Sequence, residues 1–173
     1  MNVSILGGGA WGTTLAQVLT DNGNKVLIRD INLDFIKKIN ENHVHPFFDL
    51  AIPESIMATE SLEEAAGFSD VIVLCVPTKA MRQVLKEINP LLKTKKTFIN
   101  VSKGIEPNTS LRVSEIVDEE IAKDKLNGYV VLSGPSHAEE VILRKATALV
   151  AASYNSNLAC FVLIIQHSHL IYL

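Results

Sequence analysis

Gly7-Gly8-Gly9-Ala10-Trp11-Gly12 is the stretch that decides the fold, because it satisfies the glycine pattern G-x-G-x-x-G. That pattern is informative only where a strand precedes it and a helix follows it. The apolar run Asn2–Leu6 precedes it, and Ala10–Asn22 follows with apolar residues at helical spacing. The sequence therefore predicts a strand, a tight glycine turn and a helix over residues 2–22.

The glycines stand where a bound pyrophosphate requires them. Gly7 permits the tight turn, Gly9 leaves the backbone open to the phosphates, and Gly12 lets the helix pack closely on the strand. The N-terminus of the helix offers free N–H groups and a partial positive charge to an anion. The pattern favours a dinucleotide site with Gly7, Gly9 and Gly12 as cofactor residues; a glycine turn without a ligand is the alternative.

The end of the second predicted strand bears on which dinucleotide binds. Lys25–Arg29 is predicted as that strand, and Asp30 follows it directly. An acidic side chain there accepts the ribose hydroxyls of NAD, whereas a basic one favours the 2′-phosphate of NADP. Because the sequence supplies one of each, we predict Arg29 and Asp30 as cofactor residues and NAD or NADP as the cofactor. Surface charges at a strand end are the alternative.

Short apolar runs alternate with amphipathic ones along the rest of the chain, which indicates βαβ units. The fold class predicted from this alternation is α/β, a Rossmann-type doubly wound and mostly parallel sheet. The further strands are predicted at Ile56–Ala58, Asp70–Cys75, Thr97–Val101, Tyr129–Leu132 and Thr147–Ala152. The further helices are predicted at Leu33–Asn40, Thr78–Asn89 and Thr109–Ala122, with a capping box of Ser136 and Glu139 opening a last one through Leu143.

Three loops follow predicted strands and are expected at the ligand-binding edge of the sheet, beyond the carboxyl ends of the strands. Pro77 rigidifies the first, near the cofactor, and Lys103 in the second offers a cation to a phosphate or a polar substrate oxygen. In the third, Gly134 and Ser136 make a second turn suited to an anion or a hydroxyl. A plain helix start, a solvated lysine and a structural connection are the respective alternatives.

Composition excludes several other classes of function. The net charge is −3 over 173 residues and the densest basic cluster, Lys93, Lys95 and Lys96, is short, so it is predicted to be a solvated helix end and no nucleic acid is expected. Neither Cys75 nor Cys160 belongs to a CxxC pair, and His43 and His45 lack further ligands, so no metal is predicted. Without a signal segment or a membrane span, a cytoplasmic location is expected.

The end of the chain does not fit the pattern. From Leu158 the sequence is apolar on every side, with neither a polar helix face nor strand alternation. We therefore predict a dinucleotide-binding domain over residues 1–157 and an atypical apolar tail over residues 158–173.

Several segments then occur in a recognisable order up to about residue 153: Gly7–Leu15 (GGGAWGTTL), Leu74–Arg82 (LCVPTKAMR), Val101–Glu106 (VSKGIE) and Leu132–Val141 (LSGPSHAEEV). Together they resemble the NAD(P)-dependent glycerol-3-phosphate dehydrogenases of the bacterial type. The resemblance implies hydride transfer between a nicotinamide and glycerol phosphate. That reaction interconverts sn-glycerol 3-phosphate and dihydroxyacetone phosphate and serves the synthesis of phospholipid precursors.

The resemblance also implies roles for particular residues. Ala10, Trp11 and Ala138 would contact the cofactor, Lys103 would touch both cofactor and substrate, and Gly134 and Ser136 would hold the substrate. At the end of the second strand the family often has Trp, a small residue and a basic one, whereas this sequence has Arg29-Asp30-Ile31. The basic contact of the family would therefore fall on Ile31.

Chains of that family are roughly twice as long and carry a helical C-terminal domain, which supplies the general-base lysine. We therefore expect a truncated or frame-shifted product with no catalytic residue in this chain and little or no activity alone. Complete relatives are expected to be homodimers acting on a small-molecule substrate. The alternative is a non-catalytic dinucleotide-binding module for redox sensing or partner binding.

Overall fold

Strands and helices alternate along almost the whole chain. The structure, a computed structural model, describes residues 1–165 and 170–172. Its strands are β1 Asn2–Leu6, β2 Lys25–Arg29, β3 Met57–Thr59, β4 Val71–Leu74, β5 Lys96–Asn100, β6 Leu126–Ser133, β7 Thr147–Ala152 and β8 Leu170–Tyr172. Its α-helices are α1 Ala10–Asp21, α2 Leu33–Lys37, α3 Leu62–Phe68, α4 Thr78–Ile88, α5 Val113–Glu120, α6 Ala138–Val141 and α7 Ser156–Ile165.

The strands form one sheet in the order β3-β2-β1-β4-β5-β6-β7-β8. Neighbouring strands run parallel except β6 and β7, which pair antiparallel. The predicted doubly wound, mostly parallel α/β fold is confirmed. The order reverses between β1 and β4, because β2 and β3 lie on one side of β1 and β4 to β6 on the other. The carboxyl ends of β1 and β4 therefore flank the switch point where such sheets bind ligands.

Helices cover both faces of the sheet. One face packs α1, α6 and α7 around buried residues such as Ile5, Leu15 and Val162. The other packs α3, α4 and α5 around residues such as Leu74 and Phe98. All residues of β4 are buried, as its unbroken apolar sequence predicts for a strand covered on both faces. This packing fixes the strand ends on which the candidate site is built.

Helix boundaries depart from the sequence pattern where tertiary contacts intervene. The predicted helix Leu33–Asn40 is α-helical only to Lys37 and continues as one π-helical turn over Lys38–Asn42. The predicted helix Thr109–Ala122 begins only at Val113, because Asn108 and Ser110 adopt positive φ angles of 71° and 59° that no helix accommodates. The amphipathic pattern extends over these turns, but their backbone does not.

Lys96 corrects the prediction of a solvated basic helix end. It lies on β5 and is only 3% exposed. Its Nζ donates to the Ser69 carbonyl at 2.7 Å and to Asp70 Oδ1 at 2.9 Å. Burial of a lysine is tolerated here because its charge is paired and hydrogen-bonded.

The predicted apolar tail includes most of helix α7, which packs on β6 and β7. Gly128 makes this close packing possible, since a Cβ there would lie 2.2 Å from Leu158 Cδ1. Residues 166–169 and 173 of the tail lie outside the described residues, and the boundary after residue 157 stays a prediction. Within the part of the chain that the structure describes, no helix has the length and apolar character needed to cross a membrane.

Candidate functional site

A cleft of about 720 Å³ opens at the carboxyl ends of β1, β2, β4 and β5. Every residue predicted to bind the cofactor lines it: Gly7, Gly9, Ala10, Trp11, Gly12, Arg29, Asp30, Pro77, Lys103 and Ala138. The crossing order of the strands brings these distant segments together, because all of them follow strands that end at the same edge.

Gly7 and Gly12 hold the glycine turn in a shape that no other residue allows. Gly7 has a φ of +113°, and a Cβ there would lie 2.6 Å from the carbonyl oxygen of Cys75. A Cβ on Gly12 would lie 1.9 Å from the carbonyl oxygen of Gly7. Both glycines are therefore required by backbone packing between β1, β4 and α1.

Gly9 differs from its neighbours, because the space beside it is open. It is the N-cap of α1 with a φ of −69°, and a Cβ there would meet nothing within 4 Å. No side chain among the described residues caps this helix. The first N–H groups of α1 thus face the cleft without an intrahelical acceptor, next to the positive end of the helix dipole. This cradle has the size and the donors that a pyrophosphate needs.

Asp30 fastens the cradle to the end of β2. Its Oδ2 accepts from the Gly8 N–H at 2.5 Å and its Oδ1 accepts from the Asn32 N–H at 2.9 Å. Arg29 turns toward the neighbouring strand, where its Nε donates to the Glu60 carbonyl at 3.2 Å. The two charged residues at this corner therefore have different environments, which their order in the sequence does not reveal.

Cys75 lies under the glycine turn and is unreactive there. Burial raises the pKa of its thiol to about 12, and the negative charge of Asp30 adds to the shift. At neutral pH it is a neutral thiol, and its backbone carbonyl abuts Gly7. This agrees with the prediction that Cys75 is a structural residue.

His45 is a contributor that the sequence analysis did not assign. It is fully buried, and its Nε2 lies 3.1 Å from the Ala10 carbonyl and 3.3 Å from Thr14 Oγ1. Its Nδ1 accepts from the Phe47 N–H, so the ring proton lies on Nε2, and burial lowers the pKa of the imidazole. His45 thereby holds the loop after α2 against the first turn of α1.

Lys103 projects from the loop after β5 at the opposite end of the cleft. The residue is exposed, and its Nζ lies 3.5 Å from the Ser136 carbonyl. Ser102 ties this loop to the end of β4, because its Oγ donates to the Val76 carbonyl at 2.7 Å. Parallel strands lie about 4.8 Å apart, so the ends of β2 and β5 are separated by roughly 14 Å across β1 and β4.

An ion-pair network anchors the Lys103 loop from below. Arg82 on α4 donates to both oxygens of Glu106 at 2.8 Å, and it also pairs with Glu119 and Glu120 on α5. Glu106 accepts a further hydrogen bond from Thr109 Oγ1. The Arg82 guanidinium, and next the Thr109 hydroxyl, lower the pKa of the Glu106 carboxyl to about 2.

The Arg82–Glu106 pair predicts how stability depends on pH. The folded-state pKa of Glu106 lies below its ordinary value of 4.5, so its stabilisation is complete above pH 4.5 and is lost as the pH falls toward 2. Glu106→Gln should therefore destabilise the protein at pH 6, with a difference from wild type that shrinks steadily toward pH 2.5. Urea unfolding at several pH values measures this, with Glu63→Gln on the exposed side of α3 as the control. A difference that is constant across this range would rule out the ion pair as its source.

The segment after β6 corrects two expectations. Ser136 does not cap a helix: His137 is the N-cap of α6, and Ser136 Oγ lies 3.5 Å from the Gly134 carbonyl. Helix α6 ends at Val141 rather than at Leu143. A Cβ on Gly134 would lie 2.5 Å from the Ala148 carbonyl, so the glycine is needed for the close approach of β7.

The predicted substrate residues divide between two cavities. Ser136 lines the main cleft, whereas Gly134 lines a second cavity of about 730 Å³ on the β5–β7 side. Lys103 lines both, which places its ammonium where the two meet. Their contact with a substrate stays a prediction.

The sequence analysis missed the residues that close the far end of the main cleft. Ile31 and Phe35 line it from the α2 side, and Ala80, Val84 and Glu87 line it from α4. Three- and four-residue spacing showed which face of α4 is buried, but not that the edge of this face reaches the cleft.

Known proteins match this chain over nearly its whole length. The family described as NAD-dependent glycerol-3-phosphate dehydrogenase N-terminus matches residues 2–159. A glycerol-3-phosphate dehydrogenase [NAD(P)+] of Acholeplasma laidlawii is 60% identical over 153 residues, covering 88% of this chain and 46% of the relative. The Bacillus subtilis enzyme of the same name is 45% identical over 174 residues, covering 98% of this chain and 50% of the relative.

A solved structure agrees with these matches. The crystal structure of glycerol-3-phosphate dehydrogenase from Coxiella burnetii superposes with a TM-score of 0.88 at 28% identity, over 99% of this chain and 52% of that one. The chain thus spans about half the length of the curated relatives it matches. The names of the family and the relatives agree with the predicted cofactor, NAD or NADP. By the family match over residues 2–159, the chain belongs to the NAD-dependent glycerol-3-phosphate dehydrogenase family, in its N-terminal part.

Proposed function

We propose that this chain is the NAD(P)-binding half of a glycerol-3-phosphate dehydrogenase, which interconverts sn-glycerol 3-phosphate and dihydroxyacetone phosphate. The observation that carries the proposal is the open N-terminus of α1 at Gly9, set in a cleft at the switch point of the sheet. An enzyme of this family needs a pyrophosphate site there, and the residues present fit one.

The residues of the cleft divide the work of holding a dinucleotide. The first-turn amides of α1 bind the pyrophosphate, and Asp30 at the end of β2 receives the adenosine ribose. The loop after β4, with Pro77, and the loop after β5, with Lys103, flank the opposite half of the molecule. When bound, the nicotinamide supplies or accepts the hydride, while the protein contributes orientation and charge.

Lys103 is the residue that we propose for contact with both cofactor and substrate. Its ammonium is exposed at the junction of the two cavities, and the Arg82–Glu106 pair fixes the loop that carries it. A lysine there attracts a phosphate or a polarised oxygen of glycerol phosphate. Ser136 and Gly134 complete the proposed substrate contacts at the end of β6.

The reaction also needs a general base for the hydroxyl proton. The family resemblance assigns that base to a lysine in the helical half of the complete enzyme. We therefore propose that this chain alone binds the cofactor but turns over little or no substrate.

Calorimetric titration and a turnover assay of the purified 173-residue chain test this proposal together. We expect saturable binding of NADH and no oxidation of NADH on addition of dihydroxyacetone phosphate. Adding the separately purified helical half of the Acholeplasma laidlawii relative should restore measurable turnover. Absence of NADH binding would contradict the proposal, and an ordinary enzymic rate from the chain alone would contradict its inactivity. Binding without turnover in either assay would favour the non-catalytic module.

A further inference from the structure

The corner of the cleft at the end of β2 is where NAD and NADP differ in their contacts. The two cofactors differ only by the phosphate on the 2′ oxygen of the adenosine ribose, which this position reads. Asp30 and Ile31 both line the cleft there. What these two residues offer therefore decides which cofactor is accepted.

Asp30 is held in place but retains room to accept further hydrogen bonds. Each of its oxygens takes one backbone N–H, from Gly8 and from Asn32. A carboxylate oxygen can accept two hydrogen bonds, so each keeps one acceptor position. The side chain is thus preorganised to accept the hydroxyls of an unphosphorylated ribose.

The charge of Asp30 is not neutralised within the part of the chain that the structure describes. Asp30 forms no ion pair among residues 1–165 and 170–172. Arg29, next to it in sequence, uses its Nε on the Glu60 carbonyl. Lys103 lies at the end of β5, roughly 14 Å away by strand spacing, which exceeds the screening length of about 8 Å in physiological salt. A 2′-phosphate at this corner would meet the carboxylate first.

The residues that follow Asp30 offer the phosphate no compensating donor. Ile31 is 77% exposed and apolar, at the position where a basic side chain would reach a 2′-phosphate. The side-chain oxygen of Asn32 accepts the Asp34 and Phe35 N–H groups and so caps α2. Asp34 adds a second negative charge to the same turn.

We infer that the site selects NAD(H) against NADP(H), with Asp30 and Ile31 as the residues that determine the selection. The inference rests on the proposed function, because it concerns the same dinucleotide cleft. It narrows that function by assigning the unphosphorylated cofactor.

Parallel titrations of the 173-residue chain with NADH and with NADPH, followed by calorimetry, test the inference. We expect NADPH to bind at least about tenfold more weakly than NADH, since each tenfold step corresponds to only about 1.4 kcal/mol. The double variant Asp30→Ser with Ile31→Arg should reverse the preference, and its binding of NADPH would show that it is folded. Asp118→Ser, an exposed carboxylate lost from α5, is the matched control and should keep the preference of the wild type.

The outcomes separate this inference from the proposed function. If both cofactors bind with equal affinity, or NADPH binds more tightly, the selection by Asp30 is refuted while the dinucleotide site stands. If the double variant retains the preference for NADH, the assignment to Asp30 and Ile31 is refuted. If neither cofactor binds the wild type, the proposed function fails and the inference fails with it.

Discussion

Gly9→Ser is expected to weaken NADH binding by roughly 100-fold, because a hydrogen bond to a charged group contributes about 1.5–3 kcal/mol. Gly9 is the N-cap of α1 in extended conformation, a geometry in which serine accepts hydrogen bonds from the first-turn amides. The new hydroxyl would thus occupy the donors proposed for the pyrophosphate. Nothing lies within 4 Å of a Cβ at this position, so the substitution causes no clash.

The same variant should be slightly more stable than wild type, because serine caps a helix better than glycine by a few tenths of a kcal/mol. Opposite signs for stability and affinity distinguish a blocked anion site from a damaged fold. Urea unfolding and NADH titration measure the two effects. Gly67→Ser on the exposed surface of α3 makes the same chemical change away from the cleft and should leave affinity unaltered. Wild-type affinity in Gly9→Ser would refute the role of these amides.

Gly12→Ala is expected to have the opposite character, with a large loss of stability. The added methyl would lie 1.9 Å from the Gly7 carbonyl oxygen and 3.4 Å from Cys75 Sγ. Helix α1 would have to move away from β1 to relieve the contact. Overpacking of this kind costs about 1–3 kcal/mol or more, and we expect a value near the upper end because the clash is with backbone.

The midpoint of urea unfolding measures the effect of Gly12→Ala, and NADH affinity should fall with it, because α1 carries the cradle. Gly67→Ala is the matched control, since glycine to alanine at an exposed helical position stabilises by about 0.5–1 kcal/mol. Similar stabilities for Gly12→Ala and wild type would mean that α1 does not pack against the glycine turn as described.

The sequence predicts the central strands well because their burial leaves a strong local signal. β1 and β2 begin and end at the predicted residues, and β4 is the core of the predicted Asp70–Cys75. Consecutive apolar residues suffice there, since both sheet faces are covered. Helix α5 could not be placed in this way. Its start depends on the turn that Glu106 closes with Thr109 and Arg82, and those contacts exist only in the folded protein.

Much the same division holds for the candidate site. The glycine pattern and the strand-end rule place Gly9, Asp30 and Lys103 in one cleft, since they need only the order of the strands. The rule does not show that Arg29 bonds the end of β3 or that His45 returns to the start of α1. Those contacts depend on how loops fold back, and loop paths leave no periodic signal.

The most direct test of the open helix terminus is a titration of the ¹⁵N-labelled chain with NADH, followed by amide chemical shifts. Hydrogen bonding to a pyrophosphate should move the amide resonances of Ala10, Trp11 and Gly12 more than those of α3 or α5, and these shifts should saturate with the binding isotherm. If NADH saturates the protein while those three amides stay where they are, the pyrophosphate is not bound at the first turn of α1.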